Sequence, residues 1–140
     1  MAMRRNWVIV KVFPVLMLMV FGACNGSSQN VSDTAVEHVS EEEFKAKMEA
    51  SEDAQVLDIR TPAEWEAGII PGAYTIDWYS SNFKQEVEAL DKEKPLLVYC
   101  RSGGRSSDAV SVLEELGFTE IYNLQGGMNA WSSAGNEVVH

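Results

Sequence analysis

Hydrophobic positions along the chain change spacing several times, and each change marks an element. "VEHV", 36–39, is a short candidate strand. Ser40 follows with Glu43 three residues on, a pairing that satisfies two free N–H groups at a helix start and predicts a helix through Ala50. "QVLDIR", 55–60, reads as a buried strand, after which Thr61, Pro62 and Glu64 repeat the helix-start signal and Gly68 stops a short helix. "AYTID" predicts a strand over 73–77, and "NFKQEVEAL" a helix over 82–90. "LLVYC", 96–100, is apolar at every position, so both its faces need cover, as in a central parallel strand. From Ser106 to Leu116, Ala109, Val110, Val112, Leu113 and Leu116 fall mostly on one helical face, and Gly117 closes the helix. "EIYNL", 120–124, is the last strand, and "QGGMNAW" leads into a short terminal helix. Strands alternating with helices at these lengths predict a single α/β domain over 36–140, with a mainly parallel five-stranded sheet flanked by helices on both faces.

The chain's beginning follows a different pattern. Arg4, Arg5 and Lys11 precede an apolar run from Val12 to Phe21, which ends in Gly22 and Ala23 before Cys24. This is the layout of a secretory signal, expected over 1–23. The run is interrupted by Pro14 and is well short of the roughly 20 apolar residues that a membrane-spanning helix needs. An ordinary cut after Ala23 would leave bulky Phe21 where a small residue is wanted. "FGAC" instead resembles a bacterial lipobox, although Phe21 stands where leucine is usual. The resemblance implies that Cys24 becomes the lipid-modified first residue, anchoring the protein to the bacterial cell envelope. The alternative is a soluble secreted or periplasmic protein. Residues 24–35 are polar, small and without hydrophobic period, so they read as a flexible tether with a reach on the order of 20 Å.

Charge and cysteine usage narrow the chemistry. Removing residues 1–23 takes away three of the eleven basic residues and none of the 21 acidic ones, leaving a net charge of −13. No basic stripe is offered to nucleic acid or to an anionic lipid surface. With Cys24 lipidated, Cys100 stands alone, which excludes an intramolecular disulfide and a C-x-x-C redox pair. The two histidines, His38 and His140, belong to no cluster at metal-ligand spacing, so neither metal nor cofactor is expected.

Cys100 sits where an apolar strand passes into a loop and then a helix, the place where α/β sheets build functional sites. Gly103 and Gly104 permit backbone angles that direct successive N–H groups inward, and the next helix adds its positive end. Such a loop holds an anion and lowers a thiol's pKa, with Arg101 and Arg105 as candidate cations for an anionic substrate. Read one residue at a time, a free cysteine such as Cys100 is more often a buried filler, and the arginines have a plain reading as a solvated residue and an ion-pair partner for Asp108 or Glu114. Ser106 is expected to cap the helix, with its hydroxyl available to the loop.

Three ordered motifs give the stretch a family. "CRSGGRS", 100–106, resembles the active-site loop of single-domain rhodaneses, "LDIRTPAEWEAGIIPGA", 57–73, their motif near the start, and "NLQGGMNAW", 123–131, their motif near the end. The resemblance implies a sulfurtransferase in which Cys100 attacks the outer sulfur of thiosulfate or a related sulfane donor and carries a persulfide. A thiol, or cyanide, then accepts the sulfur. By the same resemblance Arg101, Ser102, Gly103, Gly104, Arg105 and Ser106 form the substrate cradle, and Asp58 and Arg60 support it. Trp65 and Trp131 fall at positions of packing rather than of substrate contact. Related cysteine phosphatases and arsenate reductases place five residues between cysteine and arginine; here Cys100 and Arg105 enclose four, which resembles the sulfur-handling loop. Two departures from the family pattern stand in these motifs, Gly104 for a frequent asparagine and Ile69 for a frequent histidine. A non-catalytic module that binds a partner or senses sulfur is the competing reading, and the paired presence of Cys100 and Arg105 favours the enzyme.

Overall fold

The computed structural model describes residues 33–140. The signal-peptide reading, the lipidation of Cys24 and most of the tether therefore lie outside the described residues. The elements run β1 (Ala35–Val39), α1 (Glu41–Ala50), β2 (Gln55–Asp58), α2 (Pro62–Trp65), β3 (Tyr74–Thr75), α3 (Phe83–Val87), β4 (Leu96–Tyr99), α4 (Gly104–Glu115), β5 (Glu120–Leu124) and α5 (Gly127–Ser133). The five strands form one sheet in the order β1-β5-β4-β2-β3, and every neighbouring pair is parallel.

The continuous apolar run of β4 is explained by its place at the centre of this sheet. Leu96 and Val98 face one layer with Phe83 and Val87 of α3 and Ala109, Val110 and Leu113 of α4. Leu97 and Tyr99 face the other, with Phe44 of α1 and Met128 and Trp131 of α5. Each such side chain taken fully out of water contributes roughly 2 kcal/mol. Trp131 belongs to the second layer, where it packs edge-on against Phe44 and donates its indole N–H to the Glu137 carbonyl at 2.7 Å. Trp65 is only half-buried and belongs to neither layer.

Several boundaries differ from the expected ones for identifiable reasons. Strand β3 is two exposed residues at the sheet edge rather than the span 73–77. Helix α3 stops at Val87, and its last turn loosens into i-to-i+3 bonds such as Leu90 N–H to the Val87 carbonyl. The helix after Thr61 ends at Trp65, and the Gly68 N–H closes the turn on the Trp65 carbonyl at 2.8 Å. Helix α4 begins at Gly104, because Gly103 takes the left-handed conformation (φ 97°) and serves as its N-cap. Ser106 is thus inside the first turn and does not cap the helix. At α1 the cap is as expected: the Glu43 N–H donates to the Ser40 hydroxyl, and the Ser40 N–H donates back to the Glu43 carboxylate.

The parallel register sets Asp58, the last residue of β2, beside Tyr99, the last of β4. The Tyr99 hydroxyl donates to Asp58 Oδ2 at 2.5 Å and accepts the Ile70 N–H at 3.0 Å. Arg60 Nη2 donates to the same carboxylate at 2.6 Å and to the Gly68 carbonyl at 2.7 Å. Asp58 is fully buried and Arg60 is 4% exposed, so each charge depends on the other for compensation. Burial in the company of the Asp58 carboxylate pushes the Tyr99 hydroxyl far above its ordinary range, so it remains a proton donor. Asp58→Ala, which strands the Arg60 charge, is expected to lower unfolding free energy by about 3–5 kcal/mol. Urea denaturation measures this, and a loss below about 1 kcal/mol would show that the pair holds nothing together.

Candidate active site

Strand β4 ends at Tyr99, and the next residue, Cys100, is 1% exposed on the α4 side of the sheet. The chain from Arg101 to Gly103 then curls around its sulfur. The Gly103 N–H donates to Cys100 Sγ at 3.1 Å, and the Ser106 hydroxyl lies 3.5 Å from the same atom. That hydroxyl is also 3.3 Å from the Gly103 carbonyl, so its single proton serves the sulfur when the sulfur is ionised. Burial opposes a charged sulfur, but the Ser106 hydroxyl and the N–H groups of Ser106, Ser102 and Gly103 outweigh it and hold the thiol below its ordinary pKa. The thiolate is the nucleophilic form of cysteine.

The loop keeps this shape because α5 grips its outer side. The Met128 N–H donates to the Cys100 carbonyl at 2.8 Å, and the Asn129 N–H to the Arg101 carbonyl at 3.0 Å. The Ser107 N–H and hydroxyl hold the Gly103 carbonyl at 3.1 and 2.7 Å. Gly127 makes the approach possible, since a Cβ on it would lie 2.4 Å from the Cys100 carbonyl oxygen. Its left-handed backbone (φ 54°) independently disfavours a side chain. Of the two loop glycines, only Gly103 needs to be glycine: its φ is 97°, and a Cβ there would sit 3.2 Å from the Gly126 nitrogen. Gly104 has ordinary helical angles and open space around it, so its replacement of asparagine leaves the loop's shape intact.

The two loop arginines have different surroundings. Arg101 is exposed and edges an open hollow of about 300 Å³, shared with Arg60, Ala63, Glu64, Met128 and Asn129 among others. Arg105 meets neither Asp108 nor Glu114. Its guanidinium is bound through both terminal nitrogens to Glu64 of α2, at 2.9 and 2.8 Å, and lies 5.9 Å from the centre of the exposed Tyr79 ring. Glu64 in turn accepts the N–H and the hydroxyl of Thr61, each at 3.0 Å. Its hydrogen bonds from Arg105 lower the Glu64 carboxyl to about 2, so it is ionised throughout the neutral range. Ser102 and Gly104 face solvent, and Ser106 is fully buried against the sulfur. Asp58 and Arg60 lie one strand over and reach the loop through Tyr99, the residue before Cys100.

Sequence reasoning missed two participants. Glu64 was read only as a helix-start residue, although its spacing from Thr61 leaves one carboxylate edge free for a second partner. Gly127 has no role evident from its motif, and the signal for it is the Gly126-Gly127 pair directly before a helix.

Comparison with known proteins agrees with this architecture. The rhodanese-like domain family model matches residues 40–134, and the chain belongs to that family. A sulfurtransferase of Allochromatium vinosum is 33% identical over 104 residues, covering 74% of this chain and 95% of the relative. The thiosulfate sulfurtransferase GlpE of Pseudoalteromonas translucida is 34% identical over 88 residues, covering 63% and 82%. Among solved structures, a rhodanese-related protein from Thermoplasma volcanium superposes with a TM-score of 0.65 at 28% identity, covering 74% of this chain and 97% of that one.

Removing the Ser106 hydroxyl takes a donor from the ionised sulfur and raises the thiol's pKa. Ser106→Ala is therefore expected to slow alkylation by iodoacetamide at pH 7 about tenfold, the worth of one hydrogen bond to a charged group. Alkylation rate against pH checks this, and the midpoint moves upward; an unmoved midpoint would deny Ser106 any part in ionising Cys100.

Proposed function

We propose that this chain moves sulfane sulfur from thiosulfate or a related donor to a thiol or cyanide acceptor through a persulfide on Cys100. The observation that carries the reading is the cradle itself: a buried, ionisable sulfur at a strand end, receiving N–H donors from a loop with four residues between Cys100 and Arg105. The Cys100 thiolate attacks the outer sulfur of the donor, a new S–S bond forms, and the donor's own S–S bond breaks. With thiosulfate the leaving group is sulfite, which takes the bonding pair; the charge returns on the outer sulfur of the Cys100 persulfide. The loop N–H groups that favour the thiolate also favour this second anion and are in place before it forms. The acceptor thiolate then attacks that outer sulfur, and Cys100 leaves as thiolate, ready for another cycle.

For its location, the arginines ahead of a short apolar run and the "FGAC" ending support a lipid anchor on Cys24 in a bacterial envelope. Several acyl chains would hold the domain stably at a membrane.

Thiosulfate or glutathione persulfide, applied to the purified domain without reductant, is expected to add one sulfur atom to Cys100. Cyanide should remove it, and Cys100→Ser should take up none. Intact-mass spectrometry reads all three, and a Cys100 that stays unmodified with both donors excludes sulfur transfer. Cys24→Ala is expected to move the protein from the membrane fraction to the soluble one; retention in the membrane with the same cut after Ala23 would exclude the anchor.

A further inference from the structure

We infer that Asn123 and Ser107 are positioning residues for Cys100: together they commit the Ser107 proton to the Gly103 carbonyl and so leave the Ser106 proton for the sulfur. These roles rest on an ionisable Cys100, as the proposed function does, and hold whichever molecule brings or takes the sulfur. Asn123 opens the last of the three motifs and is a polar side chain in an apolar layer. It is 1% exposed, on the face of β5 that also carries Ile121, paired with Val98 of β4 and set against the first turn of α4. A buried amide costs free energy unless it is hydrogen-bonded, so its partners show what it holds. Both hydrogens of its Nδ2 are used: Ser107 Oγ lies at 3.0 Å and Nδ1 of the exposed His38 at 2.9 Å. Its Oδ1 has no partner among the described residues.

Hydrogen-bond polarity fixes the orientation of this amide. Ser107 Oγ is 2.7 Å from the Gly103 carbonyl oxygen, which can only accept, so the single Ser107 hydroxyl proton lies between them. The Asn123 atom that faces Ser107 must then be a donor, which is Nδ2. A reversed amide would put Oδ1 there and draw the Ser107 proton away from Gly103. His38 accepts the second amide hydrogen in the tautomer that carries its own proton on Nε2, and this keeps the amide turned toward donation.

The effect reaches the sulfur through the neighbouring serine. The Gly103 carbonyl has two lone pairs, and Ser107 fills both, with its N–H at 3.1 Å and its hydroxyl at 2.7 Å. Ser106 Oγ approaches the same carbonyl at 3.3 Å, the longest of the three contacts, and finds both pairs taken. Its other acceptor is Cys100 Sγ at 3.5 Å, and its proton goes there. Without the Ser107 hydroxyl one lone pair of Gly103 reopens, and the carbonyl competes with the sulfur for the Ser106 proton. The Asn123 N–H, by polarising the Ser107 hydroxyl, strengthens its bond to Gly103 and deepens that commitment. Arg105, the charged side chain whose field reaches the sulfur, stays paired with Glu64, and none of the variants below touches either.

The test is the rate of Cys100 alkylation by iodoacetamide against pH, followed by peptide mass spectrometry, which reads the thiolate without any sulfur donor. Ser107→Ala is expected to move the midpoint upward and to slow alkylation at pH 7 about threefold, a fraction of the effect of removing the Ser106 hydroxyl itself. Ser107→Thr keeps a hydroxyl and the wild-type midpoint. Asn123→Leu suits the apolar layer and is expected to slow alkylation about twofold, again with an upward midpoint. In a Ser106→Ala background, Ser107→Ala adds nothing, because the proton it diverts is already gone. An unmoved midpoint in Ser107→Ala or Asn123→Leu proteins that melt at the wild-type temperature overturns these roles. So does a Ser107→Thr protein that behaves as the alanine variant does, or a full Ser107→Ala shift in the Ser106→Ala background. If Asn123→Leu does not fold, the Ser107 variants decide alone. A protein that shows the expected shifts yet takes up no sulfur keeps both positioning residues and loses the proposed function.

Discussion

The site depends on which way a few peptide planes face. A trans peptide carries its C=O and N–H on opposite sides, so a loop can offer all its donors inward only if its carbonyls are held outward. Here the first N–H groups of α5 do the holding, at the carbonyls of Cys100 and Arg101. The Ser102 N–H, in the same peptide as the Arg101 carbonyl, is thereby turned toward the sulfur it helps to ionise. Gly127 is demanded by the closeness of that grip rather than by any turn in the loop after Cys100. The residues that shape the surroundings of Cys100 are therefore spread over β4, α4 and a helix that begins more than twenty residues later.

Electrostatics follow the same division of labour. The buried sulfur is stabilised by fixed dipoles, whereas the nearby full charges are paired off: Asp58 with Arg60 beneath the loop, Glu64 with Arg105 at its mouth. A buried pair adds little net stability against an apolar alternative, because desolvation offsets most of the attraction. What the Asp58 pair does is register. It ties the ends of β2 and β4 together through Tyr99, whose neighbour is Cys100, and so fixes where the strand stops and the loop starts. Tyr99 and Cys100 point to opposite faces of the sheet, so one layer positions the sulfur's neighbour while the other encloses the sulfur.

Most of the architecture was legible because it rests on periodicity. The five strands, the mainly parallel sheet with β4 as a central strand and the capped start of α1 all follow from apolar spacing and short-range polar pairs. Element ends were less legible, because they depend on what lies across the sheet. The residues of "AYTID" have strand-like composition, but an edge strand with one neighbour keeps only the two positions that find partners. The cap of α4 lies three residues earlier than expected, because serine is the usual cap and the left-handed Gly103 takes that role. Within the site, Cys100 and its loop could be read as a contiguous phrase. The Arg105 partner could not: Glu64 lies 41 residues away, and nearer acids, Asp108 and Glu114, were equally available to a reader of the chain.

The near-complete enclosure of Cys100 also governs which molecules reach it at all. A disulfide between two chains requires their Cα atoms within about 7 Å of each other, and here the sulfur is 1% exposed, with Gly103 of the loop and Ser106 of α4 against it. A thiol held below its ordinary pKa would ordinarily be prone to cross-linking, and its enclosure works against that. Access to the sulfur is therefore limited first by the size of what approaches it.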